Sequence, residues 1–192
     1  SAWLESTIFS VPDVMNSDIT WAHTPGGAFH FLFTERHDLD SPPYQTYSRK
    51  YTRVSGTTVQ AEEDLGSRFG LLGSWESHAM CMSPEGTLRL IAFGNEGPIL
   101  LSLAAGSDWE AEPIPRLPDL AWTPGCFSAH GETLHLVGVG ASPSCGLIYQ
   151  QRAGGNWTVP EFLQLPSQNT LEDFAVSPNG ERMAISVSIN DS

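Results

Sequence analysis

Four times along the chain, a short turn ending in glycine separates two apolar, strand-like runs. The turns are Thr24-Pro25-Gly26-Gly27, Ser83-Pro84-Glu85-Gly86, Ser128-Ala129-His130-Gly131 and Ser177-Pro178-Asn179-Gly180. Proline holds its φ close to what the second turn position needs, and glycine takes the positive φ that closes a tight reversal. The runs after each turn, Ala28–Phe33, Thr87–Phe93, Glu132–Val137 and Glu181–Val187, are of strand length and strand composition. Each copy therefore predicts a β-hairpin. The closing glycines lie 59, 45 and 49 residues apart, and repeats of about 40 to 50 residues built from strands are the mark of propeller blades.

Two copies continue into a further pair of strands. Pro98–Leu103 and then Trp109–Pro115 follow the second turn, while Gly146–Gln151 and then Trp157–Leu163 follow the third. Trp3–Pro12 fits the same outer-strand slot ahead of the first hairpin. The expected fold is all-β, with four-stranded antiparallel blades: about three full blades and parts of one or two others. Residues 1–192 form either a single β-propeller domain or part of a larger propeller. Closure removes sheet edges, so the ring is expected to be completed by pairing of the termini, by a second copy or by another chain.

Composition suits many short strands. The chain holds 18 Gly and 14 Pro, and no helix is expected. With 22 acidic against 9 basic side chains, the net charge is −13, which repels a phosphate backbone and argues against nucleic acid. No apolar run reaches bilayer length and no charged-then-apolar leader precedes the repeats, so no membrane partner is expected. Three cysteines, Cys81, Cys126 and Cys145, favour a reducing compartment, whereas the sequons at Asn156 and Asn190 favour secretion. Cys81 and Cys126 occupy equivalent repeat positions and are expected as small core filler.

Catalytic and metal motifs are missing from the sequence. No Gly-x-Ser-x-Gly elbow occurs, and Gly73–His78 only gathers suggestive letters. The six His are scattered rather than clustered at zinc spacing. Glu35, Asp38 and Asp40 fall on an expected acidic loop, read as solvated rather than calcium-binding. Glu172 and Asp173 are neighbours that would point to opposite faces of a strand, so they do not form a catalytic pair. No catalytic residue, metal or cofactor is expected.

A more regular pattern lies on the second strand of the repeat, where a basic residue stands between two apolar ones: His30, Arg89 and His135, with Ala184 in the fourth copy. Together with the Trp that opens the outer strand, this order resembles the repeat of the fungal fucose-specific lectins. That resemblance implies a sugar site between blades, made of an Arg on the second strand, a Glu on the third and a stacking aromatic ring. Arg89 would be the Arg, with His30 and His135 as substitutions; Gln150 stands where the Glu is expected, and Trp109 and Trp157 fall in the aromatic region. Residues 174–184 are similar instead to the WD40-like repeat of bacterial periplasmic propellers.

The expected activity is non-enzymatic carbohydrate binding in clefts between blades, through Arg89, Trp109, His135, Gln150 and Trp157. The alternative is a protein–protein interaction scaffold, for which an acidic disc suffices, and a glycosidase ranks third.

Overall fold

The structure, a computed structural model, describes residues 19–38, 45–71, 79–115, 122–130, 133–140, 146–164, 169–176 and 182–189. Its strands form antiparallel sheets that follow one another along the chain. Contacts group the chain into two units, Ser1–Trp75 and Glu76–Ser192.

In the first unit, β1 (Thr20–His23) and β2 (Ala28–Asp38) form the first predicted hairpin. The turn is closed by Gly27 N–H donating to Thr24 O (2.9 Å), while Thr24 Oγ1 accepts from Ala28 N (3.0 Å). Strand β3 (Gln45–Ser55) pairs with β2 over its full length, and β4 (Thr58–Val59) and β5 (Glu63–Asp64) share the outer edge of β3. The outer strand is thus broken in two.

Two features of this unit depart from the sequence expectation. Helix α1 (Leu65–Phe69) forms where none was expected: the Asp64 carboxylate accepts from Ser67 N at 2.9 Å, Gly70 turns the chain out at φ 63°, and Leu65 is fully buried. A helix of five residues has too few turns to show a period. The expected acidic loop is strand as far as Asp38, where long-range pairing with β3 extends the hairpin. There Glu35 faces Lys50 at 3.8 Å and accepts a hydrogen bond from Ser48. Asp40 lies outside the described residues.

Among the described residues, the second unit contains three sheets. The second sheet of the chain runs β6 (Ala79–Met82), β7 (Leu88–Gly94), β8 (Gly97–Leu103) and β9 (Glu110–Pro113), in that spatial order. Its first turn repeats the earlier geometry bond for bond: Gly86 N–H donates to Ser83 O (3.0 Å) and Thr87 N–H to Ser83 Oγ (3.1 Å). The third sheet runs β10 (Trp122–His130), β11 (Thr133–Gly140) and β12 (Gly146–Ala153), with β13 (Asn156–Trp157) and β14 (Glu161–Gln164) on the outer edge of β12. The fourth is the hairpin of β15 (Asn169–Val176) and β16 (Met183–Ile189), with a register shift between Leu171 and Asp173.

First strands of successive sheets are neighbours in this unit, β6 beside β10 and β10 beside β15. Between the second and third sheets lies a core of Ile91, Leu100, Ile114, Leu134, Leu136 and Ile148, with Ala79, Cys81 and Trp157 packed against it. Burying each such aliphatic side chain is worth about 2 kcal/mol, so this seam, more than the strand propensities, holds the sheets together. Cys81 is core filler as expected, and burial pushes its thiol far above the usual range despite the opposing pull of Arg89. Side-chain positions of Cys126 and Cys145, the Trp3 strand and Gly73–His78 lie outside the described residues. No described helix is long and apolar enough to cross a membrane.

Candidate functional site

Alternation on β7 sends Leu88 and Leu90 to one face and Arg89 and Ile91 to the other. Register then builds two rows across the second sheet: Arg89 opposite Ser102 opposite Glu110, and Ile91 opposite Leu100 opposite Glu112. The Ile91 row feeds the apolar seam, while the Arg89 row is polar and opens beyond it. The third sheet answers with Leu134 opposite Arg152 opposite Trp157.

Arg152 spans the gap between the sheets. Its Nε donates to both Glu112 oxygens at 3.2 Å, and Nη2 reaches Oε2 at 2.9 Å. This fork geometry suits a guanidinium and a carboxylate. Arg89, 9 % exposed, donates from Nη1 to Ser102 Oγ at 3.1 Å. Between these groups lies a cavity of about 470 Å³, lined by Arg89, Ser102, Asp108, Glu110, Glu112 and Arg152 among others. The turn after β8 supplies Asp108, whose carboxylate also accepts from Trp109 N at 2.9 Å. Donors and acceptors face each other across a space of small-molecule size.

The five sequence-predicted site residues do not converge. Arg89 lines the cavity. Trp109, 5 % exposed, does not; it is buried one residue ahead of β9. Gln150 and Trp157 share the face of the third sheet that meets the second, yet neither lines the cavity. Trp157 packs on the apolar seam. Gln150, fully buried, donates from Nε2 to Thr158 O (3.4 Å), just where the outer strand breaks.

That latch has a counterpart in the first sheet, where Thr52 Oγ1 donates to Gln60 O (3.0 Å) at the equivalent break. The adjoining backbone bonds also match, Gln60 N to Arg53 O at 2.9 Å and Thr158 N to Gln151 O at 2.7 Å. Gln150 therefore shapes the outer strand. His135 lies on the opposite face of the third sheet, its Nδ1 hydrogen-bonded to the Tyr149 hydroxyl at 3.0 Å. His30 does the same with Tyr51 at 2.7 Å.

Sequence reasoning passed over Ser102, Asp108, Glu110, Glu112 and Arg152. Asp108, Glu110 and Glu112 alternate around the buried Trp109, which was their one sequence signal. Arg152 meets Glu112 only through sheet packing. No group of His, Cys, Asp and Glu suited to a metal ion occurs among the described residues. An exposed aromatic strip lies in the first unit: Trp21 (56 % exposed), Phe29 (37 %), His23 and Phe31, with ring centroids 6.1 to 6.3 Å apart.

No protein-family model matches the chain, and no curated protein matches it in sequence.

Proposed function

We propose that the sheets are successive blades of a β-propeller, and that the chain is a non-enzymatic binding module taking a small neutral carbohydrate between the second and third sheets. The observation that carries this reading is the cavity in which Arg89 faces Asp108 and Glu110 beside the Arg152–Glu112 pair. A sugar hydroxyl both donates and accepts, so a site offering guanidinium donors and carboxylate acceptors at once suits adjacent hydroxyls. The neighbouring first strands of consecutive sheets and the repeated turn support the propeller part.

Arg152 is already matched by Glu112, which leaves Arg89 against two carboxylates on a chain of net charge −13. Sialylated, sulfated and phosphorylated ligands are therefore disfavoured. Trp109 and Trp157 are packed away, so affinity would come from hydrogen bonds rather than ring stacking.

The decisive experiment is a glycan-array screen of the chain alongside Arg89→Ala. Binding confined to neutral glycans and lost in the variant supports the reading; a blank array, or signal unchanged in the variant, refutes it. Turnover of nitrophenyl glycosides would favour an enzyme instead. A protein-interaction scaffold is the second reading, favoured by the exposed Trp21 and Phe29.

A further inference from the structure

The repeat register shows why the cavity forms at the second sheet. In the first sheet His30 stands opposite Arg53, and Tyr51, two residues earlier on the same strand, reaches back to the imidazole; the rings stack with centroids 6.0 Å apart. In the third sheet His135 stands opposite Gln151, and Tyr149 makes the same reach at 6.2 Å. The matching positions in the second sheet hold Ser102 opposite Arg89, and Leu100 in place of the tyrosine. A long side chain and a phenol are thus exchanged for a hydroxymethyl group and a leucine that packs into the apolar seam.

The outer strand differs as well. It breaks in the first and third sheets, where Thr52 and Gln150 latch the break, but runs unbroken through β9, where Leu101 occupies the latch position opposite Ala111. An unbroken β9 keeps Glu110 and Glu112 in register with Ser102 and Leu100, on the cavity side.

We infer that Leu100 and Ser102 open this cavity to a neutral glycoside, because a hydroxymethyl group and a leucine stand where the first and third sheets carry a longer side chain and a tyrosine. The inference rests on the carbohydrate reading of the cavity. A glutamine at position 102, the side-chain type of the equivalent Gln151, fills the space beside Arg89. A tyrosine at position 100 recreates the pairing of the other sheets.

The test is isothermal titration of the full chain with the methyl glycosides of fucose, galactose, mannose and glucose in turn. The expected result is binding of at least one of them, with Ser102→Gln weakening it by about tenfold or more at an unchanged thermal midpoint. Leu100→Tyr provides a second route should Ser102→Gln fail to fold. Undiminished affinity in a folded variant overturns the inference and leaves the carbohydrate reading standing. Failure of all four glycosides to bind the unmodified chain overturns both.

Discussion

His30 is held neutral inside the first sheet. Burial, with help from the Arg53 charge, lowers its pKa from 6.5 to about 4. Between those two values the unfolded chain binds the proton and the folded chain does not, so stability is highest above pH 6.5 and falls as the pH drops towards 4. The full shift bounds the effect at about 3 kcal/mol, taking 1.36 kcal/mol per unit. Urea midpoints measured from pH 7 to 4 should fall less steeply in His30→Gln than in the unmodified protein; parallel slopes would place the acid sensitivity elsewhere. Cys81 poses the opposite case, since burial holds its proton on. Its labelling by a thiol reagent at pH 8 should be slow in the native fold and speed up on denaturation.

Single elements separate what the sequence discloses from what it hides. The Thr24 and Ser83 turns were legible because everything that makes them is local: proline, a hydroxyl reaching the amide four residues on, and glycines at φ 82° and 86°. A Cβ on Gly86 would meet no neighbouring atom, so Gly86→Ala should cost only its backbone strain, about 1 kcal/mol by chemical denaturation. The broken outer strands were not legible, because Thr52 and Gln150 act through carbonyls eight residues away, in the break after β4 and β13. Gln150 read as a ligand residue from its place in the repeat; register makes it a latch. Helix α1 depends on one capping carboxylate, which Lys50 also grips at 3.2 Å. Asp64→Ala should accordingly cost about 1 kcal/mol or somewhat more, measured the same way.

At the scale of the second unit, the candidate site depends on how one sheet is held against the next, and that arrangement explains why only Arg89 among the five predicted residues reached it. Alternation within a strand can be read from sequence, but which partner sheet meets each face cannot. Glu112 and Arg152, 40 residues apart, join the polar side of the seam whose apolar side is Ile91, Leu100, Leu134 and Leu136. Their side chains are 35 % and 15 % exposed, so water screens part of the attraction but the fork geometry is retained. A double-mutant cycle of Glu112→Gln and Arg152→Met should give a coupling of about 1 kcal/mol, shrinking with added salt. Arg152→Lys should keep less than half of it, since an ammonium preserves the charge and loses the paired hydrogen bonds. A coupling near zero would mean that the apolar seam, not this ion pair, ties the described parts of the two sheets together.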